Sequence, residues 1–175
     1  MTAWRSIASL VVCLGALTAC TDEGNSPMVT NDEAHKQIIT RFQELADGLS
    51  WPGATLTVEL PGLPNSEQTP NPAPCNGNDD DPDQPYRWQF AMWVLLPADT
   101  DAARARTTTA DALTAAGWTV TTSGRGVIDG TGFDGYTVNV LANPDTVPVS
   151  ISSPCFPKTQ LDRAMQWPRT ITGQP

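Results

Sequence analysis

A single histidine, His35, and four cysteines without a Cys-x-x-Cys pair leave this 175-residue sequence poor in metal-binding and redox chemistry. Structural and catalytic zinc sites draw on clustered Cys and His, and dithiol redox couples on paired cysteines; neither pattern is present. A serine nucleophile needs a base to take its proton. His35 lies beside Lys36 in an early amphipathic segment, and no Gly-x-Ser-x-Gly elbow occurs. Lysine is scarce too, limited to Lys36 and Lys158, and 19 acidic against 10 basic side chains give a formal charge of −9. So acidic a chain cannot neutralise phosphate, which excludes nucleic acid and opposes contact with anionic head groups. There is no internal repeat, and nothing in the sequence calls for a cofactor. Its longest apolar run, Ile7 to Ala19, is shorter than the about 20 residues needed to span a bilayer.

What that run does offer is an address. One charge, Arg5, precedes it, and it ends in Leu17-Thr18-Ala19-Cys20 followed by polar Thr21-Asp22-Glu23. A basic start, an apolar middle and small residues at the exit make a signal peptide. The last four residues closely resemble the bacterial lipobox. That resemblance implies cleavage before Cys20, diacylglycerol and palmitate on this cysteine, and a protein held at the cell membrane on its extracytoplasmic side. Two or more acyl chains supply the second anchoring signal that one lacks. Residues 1–19 are then a leader and 20–29 a flexible tether. With Cys13 in the leader and Cys20 lipidated, Cys75 and Cys155 are the thiols left to an oxidising exterior, and a structural disulfide between them is expected.

The remaining chain reads as one domain over 30–166. Thr30 and Glu33 have capping-box spacing, and Ala34, Ile38, Ile39, Phe42, Leu45, Ala46 and Leu49 share one helical face that closes at Gly48. Residues 54–60 alternate like a half-buried strand. From 61 to 84 proline, asparagine and aspartate predict a long loop pinned by Cys75. Tyr86 to Leu96 reads as the central strand, buried on both sides in its second half. Asp99 or Thr100 should cap a second helix with Ala103, Ala110, Leu113 and Ala116 toward the core and Gly117 as its stop. Strands follow at 118–122 and 127–128, and a glycine-rich turn spans 129–135. A hairpin then runs across Asn143-Pro144-Asp145, followed by a short helix at 158–165 and a proline-containing tail, 167–175. Short turns between strands and two amphipathic helices predict an α+β fold. The expected architecture is an antiparallel sheet with both main helices on one face, a two-layer sandwich.

The lipobox, the helix after the tether, a cysteine before the long strand, Gly117-Trp118, Gly135-Tyr136 and Cys155-Phe156 resemble the small actinobacterial, chiefly mycobacterial, lipoproteins of the LppA type. The resemblance implies the address and the fold; it carries no catalytic residue. Candidate chemistry is sparse. Asp79, Asp80, Asp81 and Asp83 could offer calcium its hard oxygen ligands, but the run lacks the alternation and glycine of an EF-hand and reads first as a solvated loop, with a weak calcium site as the alternative. Glu59, Asp129 and Asp134 could supply the carboxylate pair of a glycosidase. Trp88, Trp93 and Trp118 are expected in the core, whereas Trp51 and Trp167, beside prolines at element ends, are the candidate ligand contacts. The preferred reading is a non-enzymatic, lipid-anchored binding or accessory domain for a cationic protein or a small molecule. The alternative is an envelope hydrolase, glycan-directed, using carboxylates.

Overall fold

The computed structural model describes residues 28–77, 81, 83–132 and 134–174. The leader and all of the tether up to Pro27, with Cys20, lie outside the described residues. Two helices, α1 (Asn31–Gly48) and α2 (Ala102–Ala115), pack against one eight-stranded sheet. Its strands are β1 (Thr55–Thr57), β2 (Asn71–Pro74), β3 (Tyr86–Val94), β4 (Thr119–Thr122), β5 (Ile128–Thr131), β6 (Thr137–Val140), β7 (Val147–Ser152) and β8 (Thr170–Thr172). The order across the sheet is β4-β5-β6-β7-β3-β1-β8, and β2 pairs with the first half of β3 on the edge that β1 leaves free. Every pairing is antiparallel. This is the expected α+β arrangement.

Local chemistry accounts for both helix starts. The Thr30 side chain accepts from the Glu33 N–H, completing half of the capping box. Ala34, Ile38, Phe42, Leu45 and Ala46 are then buried at a spacing of three and four. Full burial of Ile38, Phe42 and Leu45 contributes about 1.5–3 kcal/mol each. In α2 the cap is Asp101, which accepts from the Arg104 N–H, and not Asp99 or Thr100. The face packed on the core is Ala102, Ala105, Thr109, Ala112 and Leu113, so Ala103 is exposed and Ala110 only half-buried. Thr109 tolerates full burial because its hydroxyl donates to the Ala105 carbonyl.

Four further expectations are corrected. The 61–84 segment is not structureless, because Asn71–Pro74 forms β2; an edge strand needs ladder groups on one side only, which lets Pro72 and Pro74 stand in it. Residues 129–131 belong to β5 and are not a turn: a β-carbon on Gly130 would lie 2.7 Å from Val138 Cγ1, so glycine there permits close strand packing. Lys158–Gln160 is one 3-10 turn, and no helix continues to Met165. The tail is not a tail. Thr170–Thr172 is β8, paired with β1, and Gly173 follows it with no room for a side chain against the Ala46 carbonyl of α1. The domain therefore runs past residue 166.

The Cys75–Cys155 disulfide is formed, with 6.3 Å between the α-carbons. It ties the end of β2 to the segment after β7. Around it the Cys75 N–H donates to the Pro85 carbonyl, the Val29 N–H donates to the Cys155 carbonyl, and Tyr86 and Phe156 form a β-bridge.

Candidate functional site

An antiparallel sheet sends alternate side chains to opposite faces, and directly paired residues share a face. In β3 the burial alternates strictly, with Tyr86, Trp88, Phe90, Met92 and Val94 buried under the helices and the residues between them half-buried. The second half of β3 is thus buried on one side and only half-buried on the other, where the loop carrying Ser66 reaches Trp93, and the two-sided burial expected is not met. Val138, Val140, Val149 and Ile151 continue the covered face. Among the described residues no helix lies on the opposite face.

The pairing registers fix what that open face displays. One row across the sheet reads Thr119, Thr131, Thr137, Ser152, Gln89 and Asn71, on six successive strands. At about 4.8 Å per strand it extends about 24 Å. A second row, two residues along, reads Thr121, Asp129, Asn139, Ser150 and Ala91. The first row is uncharged throughout, and in the second the one charge, Asp129, accepts from Asn139 Nδ2 at 2.7 Å. The parts of the two rows on β4 to β7 line a recess of about 350 Å³, and Gln89, Asn71 and Ala91 lie outside it.

A third row changes character. Pro148 pairs with Trp93, and Trp93 with Thr57. Trp93, Ala91, Pro148, the exposed Leu141 and Gln68 line a second recess of about 390 Å³, which meets the first at Ser150. The Trp93 indole is fixed, since Nε1 donates to the Ser66 carbonyl at 2.8 Å. The loop that presents Ser66 is itself tied down by Gln68 N–H to Val58 O at 2.7 Å and Leu60 N–H to Ser66 Oγ at 2.9 Å. An aromatic ring held in this way is ready to bind without further ordering.

The residues singled out from sequence lie elsewhere. Trp167 packs its ring 4.7 Å from Phe90, 5.3 Å from Trp88 and 4.5 Å from His35, as a partly buried cover on the core. One edge of it reaches a small cleft with Pro70, Pro72 and Arg163. Trp51 is half-buried against the core, and its Nε1 is buried without a partner. Neither is on the open face. Trp88 and Trp118 are buried as expected, and Trp93, expected in the core, is the tryptophan on the open face. His35 is not free in solvent, because Nε2 meets the Gln166 carbonyl at 2.9 Å.

The candidate acids do not converge. Glu59 pairs with Arg169, which also holds Glu67; those two carboxylates raise the pKa of the exposed guanidinium. Asp129 is on the open face with Asn139. Asp134 pairs at 3.0 Å with Arg41 of α1, on the helix side of the sheet. Burial opposes the Arg41 charge, but Glu44 and Asp134 outweigh it and hold its pKa raised. Beside them the Tyr136 hydroxyl is buried with no partner. Burial, then the Asp134 and Glu33 carboxylates, drive its pKa well above the ordinary phenol value, against a smaller opposing pull from Arg41.

Of the calcium candidates, Asp79 and Asp80 lie outside the described residues. Asp81 uses a carboxylate oxygen to accept from the Asp83 N–H, closing a local turn, and its carbonyl faces Lys158 Nζ at 3.4 Å. Among the described residues no three His, Cys, Asp or Glu side chains gather as a metal site would require, and no helix is long and apolar enough to cross a membrane. No family profile, curated protein or solved structure matches the chain.

Proposed function

We propose that the protein is a lipid-anchored, extracytoplasmic binding domain of a bacterial cell envelope, held to the membrane through Cys20 and engaging its ligand on the open sheet face. The observation that carries the binding role is the one-sided cover of the sheet. Helices bury one face, while the other displays two polar rows and a fixed Trp93 beside two joined recesses. The lipobox at Leu17–Cys20 and the likeness to LppA-type lipoproteins support the address, and the Cys75–Cys155 bridge suits an oxidising compartment. The open face carries one acid, Asp129, in its two polar rows, so the face itself offers a cationic protein little charge complementarity.

The hydrolase reading finds less support. A glycosidase holds its two carboxyl groups about 5–9.5 Å apart across one bond. Glu59, Asp129 and Asp134 are instead committed to three different partners on different parts of the fold.

The test has two arms. Labelled palmitate should enter the wild-type protein and not Cys20→Ser, and the variant should leave the membrane fraction; label retained by Cys20→Ser refutes the anchor. A photo-crosslinking residue at Thr137, on the open face, should give adducts in the intact envelope that the same residue at Lys36, on the exposed side of α1, does not give. Equal labelling from both positions refutes the open face as the binding surface.

A further inference from the structure

We infer that the ligand of the open face is a neutral, polyhydroxylated chain, a glycan strand lying across the strands along the polar rows with one sugar ring on Trp93. The inference rests on the binding role proposed above and names its ligand class.

The chemistry of the face selects this class by elimination. An anionic polymer would meet a protein of charge −9 on a surface whose polar recess contains no basic side chain; Arg87, two residues from Gln89 on the same side of β3 and paired with Ala73, lies outside that recess. A cation would find in that recess a single carboxylate, already bonded to Asn139. The buried part of a protein interface is enriched in aromatic residues, Met and Arg and depleted in serine, whereas hydroxyl side chains dominate here. A lipid tail needs an enclosed apolar cavity, and the apolar recess is open at the exposed Leu141.

What remains is complementary to sugar. Serine and threonine hydroxyls both donate and accept, and the Gln89, Asn71 and Asn139 amides do so at opposite ends of one plane. The Asp129–Asn139 pair leaves one carboxylate oxygen and the Asn139 carbonyl free to accept from two neighbouring hydroxyls, as a vicinal diol presents them. A sugar ring also has an apolar C–H face, and the indole of Trp93 with Pro148 and Ala91 offers the matching apolar floor. The first row runs about 24 Å across six strands, a length suited to several linked sugars and not to one.

The experiment titrates the purified protein with three uncharged linear hexasaccharides (maltohexaose, cellohexaose and mannohexaose), following tryptophan emission and heat, with heparin as the anionic control. At least one neutral hexasaccharide should bind at millimolar concentration or below and change the emission, and heparin should not. Trp93→Ala should weaken binding about tenfold. Trp93→Phe, which keeps an aromatic ring on the face, should retain most of the affinity and lose the emission change. Thr137→Arg, at an exposed position that lines the polar recess, should abolish binding while far-UV circular dichroism stays unchanged. No binding by any of the three, or binding indifferent to both Trp93 and Thr137, overturns the inference. If Thr137 crosslinks selectively in the envelope, but to protein, the open face stands as a binding surface and the glycan assignment falls.

Discussion

Replacing both Cys75 and Cys155 by alanine isolates the largest single constraint on the folded chain. The bridge closes a loop of 80 residues in sequence. In the chain-entropy account such a loop restricts the unfolded state by about 15 cal/mol/K, or about 4.5 kcal/mol at 25 °C. Domains of this size are commonly stable by about 5–15 kcal/mol, so the loss is a large part of the total. The folded geometry nearby does not depend on the bridge alone, because the Cys75 N–H, the Val29 N–H and the Tyr86–Phe156 pairing hold the same two segments together. The variant should therefore fold with unchanged circular dichroism and fail earlier in urea. With an m-value of about 2 kcal/mol/M the midpoint should fall by about 2 M. Freed of the cross-link, the unfolded chain expands and exposes more surface, so m itself should rise. A loss below about 1 kcal/mol with m unchanged would refute the reasoning and place the bridge's role outside stability.

Three other substitutions test named contacts. Asn31→Ala removes the buried oxygen that accepts from Trp88 Nε1 at 2.9 Å; the stranded indole N–H should cost about 1–3 kcal/mol in urea unfolding, and no loss would show that the bond is not maintained. Tyr136→Phe deletes a buried hydroxyl with no partner, so stability should hold or rise by about 1 kcal/mol. Because the folded state keeps the Tyr136 proton above the unfolded phenol pKa of about 10, wild-type stability should fall as pH rises past that value. Tyr136→Phe should lose that part of the alkaline decline; an unaltered pH profile contradicts the assignment. Gly173→Ala drives a β-carbon into the Ala46 carbonyl and should cost about 1–3 kcal/mol by pushing β8 off α1, which a neutral thermal shift would disprove.

Much of the covered face was legible in the sequence, and much of the open face was not. Apolar periodicity located α1, the long strand β3 and the β6–β7 hairpin, because each buries a face against a shared core and burial writes a pattern. Proline hid β2 and the brevity of three residues hid β8, since both owe their strand geometry to partners distant in the chain. The α2 cap, Asp101, lies one or two positions after the expected Thr100 or Asp99, and weak alanine and threonine periodicity leaves the buried side of this helix poorly marked. The site was harder still. Thr119, Thr131, Thr137, Ser152, Gln89 and Asn71 form a row only through strand register, and nothing along the chain brings residues 71 and 137 together. Trp93 was visible as an aromatic on a strand, but the side of the sheet left uncovered decided its role. Trp51 and Trp167 drew attention because prolines flank them, and the fold uses both to close its core.

If the open sheet face binds its ligand in the envelope, that face is occupied on intact cells. Hydroxyl-radical footprinting of the protein on intact cells, compared with the purified protein, measures that directly. Trp93 and Leu141, the latter 50 % exposed, should be protected on cells, while Met28, 57 % exposed beside the start of α1, should be oxidised equally in both. Equal oxidation of Trp93 and Leu141 in the two settings, or protection confined to the helix side, would contradict it.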